Sequence, residues 1–184
     1  MDGELDILRV RMALERLGAQ LSFHRDVHIL LVGGAAGMLI GELARDRVTS
    51  DCDVIDCDPP AARDALDRAA AAVASELGLP ARWLNDDVQM LRDTLPKDWR
   101  SRRHFIAQHR DIHIWAVDRR DLIAMKVFAG RDQDIEDIGS LRPTRDELAF
   151  VREHLAHLAK DGRSASELAP AHALLAALEE HAHE

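Results

Sequence analysis

An α/β (α+β) fold is predicted, a mixed β-sheet with flanking helices and a helical C-terminal tail, and three observations point to it. Short apolar runs containing Val and Ile, the pattern of buried strands, fall in the first two thirds of the chain. Around and after them the apolar residues recur at helical spacing. Aromatic residues are only 4% and tyrosine is absent, while hydrophobic residues reach 47%. The core is therefore expected to be Leu, Ile, Val and Ala, a composition suited to helices laid on a sheet.

The elements follow in order. Residues 5–21 place Leu5, Leu8, Met12 and Leu21 around one mostly apolar face, which predicts an amphipathic helix ending near Gly18. Residues 27–32 read as a buried strand, broken by Gly33-Gly34. A helix is expected over 35–44 and a second strand over 51–57, stopped by Pro59-Pro60. The Ala-rich run 61–77 predicts a helix closed by Gly78. Residues 81–95 show no clear period beyond a short helix over 88–95. Residues 103–108 and 112–117 predict a hairpin turning at 109–111.

Asp118, with Asp121 three residues on, then reads as the N-cap of a helix over 122–129, and a further helix is expected over 133–141. Thr144 and Glu147 form a capping-box signature for a helix reaching Lys160. After a polar linker at 162–166, Pro170 is expected to open the last helix, to His183. At 184 residues the chain suits one domain with a small appendage. The expected division is 1–142 for the sheet-bearing domain and 143–184 for a helical segment packed on it. That segment is expected to pack plainly on the domain, to form a lid over one side of it, or to form a dimer contact.

With 24 basic and 33 acidic residues the net charge is −9, which argues against a general nucleic-acid coat or an anionic membrane surface as partner. No apolar run approaches the ~18 residues of a membrane span. The acidic start, with Asp2, Glu4 and Asp6, does not resemble a leader peptide. Cys52 and Cys57 would stand about 16 Å apart on one strand, too far for a mutual disulfide. A cytoplasmic location is expected.

The chemistry gathers between Leu30 and Asp56. Asp51 and Asp53 alternate onto one face of a strand, where two carboxylates repel unless a cation or a shared proton joins them. Hard oxygen ligands at that spacing suit Mg²⁺ or Mn²⁺ together with substrate phosphate oxygens. Solvated acids, one of them capping a turn, are the structural alternative. Gly33-Gly34, between strand and helix, lets backbone amides approach an anion such as a triphosphate, or simply makes a tight turn. It fits neither a dinucleotide-binding glycine pattern nor a P-loop, since no lysine follows at the required place.

Lys126 lies on an otherwise apolar helix and needs a cleft or a partner, for which Asp134 and Asp137 are available. Arg92, Lys97, Arg100, Arg102, Arg103 and Arg110, with Asp93 and Asp98 among them, make a locally basic stretch interleaved with Trp99 and Phe105. It reads as a seat for an acceptor or an RNA backbone with a base on Trp99, or as a solvated hairpin with Trp99 in the core. No histidine spacing matches a zinc signature, so the ten histidines, His154 and His157 included, read as surface residues.

Together the motifs resemble a known family. Gly33-Gly34-Ala35-Ala36 is followed by Arg47-Val48-Thr49-Ser50-Asp51-Cys52-Asp53. Farther on come Asp121-Leu122-Ile123-Ala124-Met125-Lys126 and Gln133-Asp134-Ile135-Glu136-Asp137-Ile138. This series is similar to the nucleotidyltransferase-fold superfamily, in particular to minimal members like the AbiE-type toxin nucleotidyltransferases.

The resemblance implies transfer of a nucleoside monophosphate from an NTP to tRNA or protein, with release of pyrophosphate. It assigns metal binding to Asp51 and Asp53 and nucleotide contact to Gly33, Gly34, Arg47, Thr49 and Ser50. Lys126 would neutralise phosphate charge, with Asp134 and Asp137 completing the site. It also implies a toxin–antitoxin role, with a cognate antitoxin or a second copy of the chain as partner. Two other readings stay open. The strand over 112–117 contains no acid, which suits an inactive nucleotide- or partner-binding relative, and the acidic charge suits a transferase acting on cationic antibiotics.

Overall fold

The computed structural model describes residues 4–44 and 46–181; Asp2 and the expected helix end at His183 lie outside them. The chain divides into two compact units, Met1–Asp93 with Arg102–Val117, and Thr94–Ser101 with Asp118–Glu184. The division at Val117–Asp118 assigns the helices after the hairpin to the second unit, a different boundary from 142–143.

The first unit starts with α1 (Ile7–Gln20), capped by the Asp6 carboxylate, which accepts from the Arg9 amide at 2.8 Å. Gly18 lies inside this helix rather than ending it. A Cβ there would collide with His109 Cβ and stand 2.9 Å from its carbonyl oxygen, so the glycine permits close helix–hairpin packing. β1 (Val27–Val32) runs directly into α2 (Gly33–Leu39), which starts earlier and stops sooner than expected, because Gly41 at φ +78° turns the chain away. β2 (Cys52–Asp58) follows, then α3 (Arg63–Leu77), closed by Gly78 in the left-handed conformation.

The stretch without clear period contains β3 (Leu84–Asn85) and a 3-10 turn at Gln89–Thr94. After α4 (Trp99–Arg102), β4 (His104–His109) and β5 (Ile112–Ala116) form the expected hairpin. The five strands make one sheet in the order β3-β2-β1-β5-β4. β1 is antiparallel to β2 and parallel to β5, so the sheet is mixed. Ile29, Leu31, Ile112, Ile114 and Ala116 are all at most 1% exposed and form the buried face. On the opposite face His28, His113 and Trp115 are half-buried. Trp83 is fully buried and its indole N–H donates to the Ala70 carbonyl at 2.9 Å, tying α3 to the approach to β3.

The second unit holds α5 (Arg119–Ala129), α6 (Asp132–Leu141), α7 (Arg145–Lys160) and α8 (Ala165–His181), with α5 packing on each of the other three. Asp118 caps α5 by accepting from the Arg120 amide at 2.9 Å. α8 starts five residues before Pro170, because Ser164 and Glu167 form their own reciprocal cap; the proline sits inside the helix. His154 is 5% exposed, not a surface residue, and its Nε2–H donates to the Thr94 carbonyl at 2.8 Å.

Thr144 and Glu147 form the predicted capping box on α7. Glu147 also binds Arg119 of α5 at 2.7 Å, and Arg119 donates to the Leu141 carbonyl at 2.6 Å. Burial pushes the Glu147 carboxyl up, but the hydrogen bonds from Arg119 and Thr144 outweigh it and hold it below its ordinary 4.5. The unfolded chain therefore takes up this proton first. The stabilisation is complete above about pH 4.5 and is lost as pH falls through the lower folded value. Glu147→Gln is expected to cost roughly 1.5–3 kcal/mol at pH 7 and to flatten the acid limb of the stability profile, measured by urea unfolding from pH 7 to pH 3. An unchanged acid limb would count against this linkage.

Candidate active site

Val32, the last residue of β1, pairs with Asp53 of β2. The chain then turns through Gly33 at φ +69°, a conformation an L side chain rarely adopts. A Cβ on Gly33 would meet Asp53 Oδ2 at 2.8 Å. One on Gly34 would meet Thr49 Oγ1 at 3.1 Å and Arg47 Nη2 at 3.5 Å. The glycine pair thus lies directly against the carboxylate, hydroxyl and guanidinium that the sequence nominated. Gly33 and Gly34 are half-buried whereas Ala35–Leu39 are buried, so the open backbone is confined to the pair.

Thr49 is fixed at this place by two backbone hydrogen bonds with Leu5, and its hydroxyl donates to the Asp51 carbonyl at 3.2 Å. Ser50 is exposed and Arg47 half-buried. Asp51 immediately precedes β2 and Asp53 lies within it, both half-buried, with the intervening Cys52 fully buried. Burial, and then the charges of Asp51 and Asp53, push the Cys52 thiol far up, which keeps it protonated and unreactive. Cys57 is likewise pushed up to about 11, by burial first. Both cysteines are free.

Asn85, which sequence reasoning missed, supports these acids, and Arg92 of the basic stretch supports a third, Asp56. Asn85 of β3 pairs in register with Asp53, is 4% exposed, and donates its amide to Asp51 Oδ2 at 3.1 Å. Arg92, on the 3-10 turn, binds Asp56 at 2.7 Å. Asp56 pairs with Leu30, and a register shift between Leu30 and Leu31 puts it on the same face as Asp53. Asn85 has no motif of its own, since it lies in the stretch without clear period.

A substitution at Gly33 tests this construction. Gly33→Ala is expected to add about 1–2 kcal/mol of backbone strain and to push the Asp53 carboxylate out of place. A lowered Tm together with a loss of transfer activity larger than Tm alone explains would support the assignment; a neutral alanine would refute it.

In the second unit, Lys126, Asp134 and Asp137 come together with one another. They are 4%, 2% and 3% exposed. Lys126 Nζ donates to Asp134 Oδ1 at 3.0 Å and to Asp137 Oδ2 at 2.7 Å, and Arg131 adds a second cation on Asp134 at 2.7 Å. The lysine is therefore a buried member of an ion network, and it does not reach to solvent. Trp99 is 8% exposed and lies under the Arg100 guanidinium, 4.3 Å from the ring centre, so it offers no open ring.

Among the described residues no three His, Cys, Asp or Glu side chains are grouped to hold a metal ion. No helix among them is long and apolar enough to cross a membrane. A family described as nucleotidyltransferase of unknown function (DUF6036) matches residues 10–164. No curated protein and no solved structure matches the chain.

Proposed function

The chain belongs to this family of nucleotidyltransferases of unknown function, and from its geometry we propose a metal-dependent transfer of a nucleoside monophosphate from an NTP to a hydroxyl of tRNA or protein. The observation that carries this reading is that Asp53, Thr49 and Arg47 crowd the space a side chain would need on Gly33 or Gly34. Backbone without side chains, a fixed carboxylate pair and a nearby guanidinium are what phosphoryl-type transfer requires, since its catalysis is largely positioning and charge neutralisation.

Two carboxylates, with no third protein ligand grouped among the described residues, fit Mg²⁺, which keeps several waters and completes its shell with substrate phosphate oxygens. Asp51 and Asp53 would hold it; when bound, it neutralises charge on the transferring phosphoryl group. Asn85 keeps one Asp51 oxygen engaged and so fixes how that carboxylate is presented. Arg47, Thr49 and Ser50 border the glycine pair and would meet the triphosphate. In the reaction the acceptor oxygen bonds to the α-phosphorus and loses its proton, while the bond from that phosphorus to the bridging oxygen breaks and pyrophosphate leaves. The Lys126–Asp134–Asp137 network takes the role of positioning α5 and α6. A toxin–antitoxin setting, with a cognate antitoxin as partner in the cytoplasm, is the biological context of the AbiE resemblance.

Incubation of the protein with each α-labelled NTP, Mg²⁺, bulk tRNA and cell extract is expected to label one macromolecule. No label from any of the four NTPs, or label unaffected by chelation, overturns the reading. That no three His, Cys, Asp or Glu side chains are grouped to hold a metal among the described residues favours one alternative, a nucleotide-binding relative without turnover. Thermal stabilisation by NTP that needs no Mg²⁺ and leaves the nucleotide intact would support it.

A further inference from the structure

The face of the sheet that carries Asp53 continues into a row of rings. Val32 pairs with Asp53, while Leu30, two residues back on the same face, pairs with Trp115 of β5. His28, two residues farther back, pairs with His113. On β4, Phe105 pairs with Trp115. The rings are contiguous. His28 and His113 stack at 4.6 Å, the Trp115 indole N–H donates to His28 Nδ1 at 3.1 Å, and Phe105 meets Trp115 edge-on at 5.3 Å. Strand spacing and rise put Trp115 on the order of 12 Å from Asp53.

Phe105 is 53% exposed, although a large apolar ring on a sheet face normally lies under a helix. Arg103 lies over Trp115, 3.9 Å from its ring centre. Residues 102–110 contain Arg102, Arg103 and Arg110 with two histidines and no acid, in a chain of net charge −9. Burial, the neighbouring His113 and Arg103 hold His28 below its ordinary value, so it contributes a neutral ring. β4 is an edge strand, but its pairing is interrupted between Phe105 and Ala107, which twists the edge away from simple strand addition by a peptide.

We propose that this face is a stacking platform for an unpaired nucleobase of a single-stranded nucleic acid. A base lies on the open face of Phe105, Trp115 closes the corner, and the Arg103 guanidinium takes the adjoining phosphate. Sequence-tolerant stacking beside a cationic strip is how proteins hold single strands. The platform would seat the strand end presented to the carboxylates. That role as acceptor site rests on the transferase reading; the binding itself does not.

Fluorescence anisotropy of the full chain with a labelled single-stranded oligoribonucleotide, without NTP or Mg²⁺, tests it. The single strand is expected to bind at least about tenfold more tightly than a duplex of the same sequence. Phe105→Ala, an exposed position whose loss leaves the core intact, is expected to weaken binding roughly 5- to 150-fold, and Phe105→Trp to restore it. Because the assay contains neither NTP nor Mg²⁺, the binding is expected whether or not the transferase reading survives. No binding, equal binding of duplex, or an unchanged affinity of Phe105→Ala overturns the platform. In the last case Phe105 is left as surface for a protein partner.

Discussion

Lys126→Met is expected to destabilise the protein by about 3–5 kcal/mol, the usual cost of removing one partner from a buried ion pair. Asp137 loses the ammonium at 2.7 Å and Asp134 the one at 3.0 Å, while each remains at most 3% exposed. Asp134 keeps Arg131 as a second cation. Urea unfolding measures this directly, and Tm should fall by roughly 10 °C in a chain of this size. The double substitution Lys126→Met with Asp137→Leu is expected to recover at least half of the loss, because a whole ion pair exchanged for apolar groups is often near neutral. A cost below about 1 kcal/mol for the single change would mean that the ammonium is not committed to these carboxylates. The phosphate-neutralising role implied by the family resemblance would then regain ground.

Asp53→Asn is expected to behave in the opposite way, losing transfer activity by about 10³-fold or more while leaving Tm within a few degrees. A ligand to a catalytic cation is worth several kcal/mol in the transition state, and each 1.36 kcal/mol is tenfold in rate. Asparagine keeps the size of the group that Gly33 accommodates, and removing one of two neighbouring carboxylates relieves repulsion. Label transfer from NTP with Mg²⁺ as the variable provides the measurement. Activity retained within tenfold would remove Asp53 from the metal site and leave the glycine pair as a turn alone. Lys126 and Asp53 thus separate the two units by experiment, one variant reporting on stability and the other on chemistry.

Much of the fold was legible because its signals are local. β1 occupies residues 27–32 as its apolar run predicted, and Thr144 with Glu147 caps α7 as their spacing required. The spacing of Asp51 and Asp53 was readable because alternation along a strand is a period of two residues, although β2 begins only at Cys52. β3 was not, since Leu84–Asn85 is too short to have a period. The start of α8 was misjudged because Pro170 outweighed the weaker Ser164–Glu167 signature, and the structure accommodates the proline inside the helix. His154 gave no sign of burial because its partner is a backbone carbonyl at Thr94, which has no residue type to read.

The same distinction runs through the candidate site. Local order determined the strand, the glycine pair, the alternating acids and the lysine-bearing helix, each set by neighbours within a few residues. Tertiary structure decided that Asp53 fills the space a side chain on Gly33 would need, that Asn85 holds Asp51, that Arg92 holds Asp56, and that Trp115 reaches His28. These pairs join residues up to 87 positions apart, brought together by strand register. Register is chosen by the burial of a whole face, so no short stretch of sequence carries it.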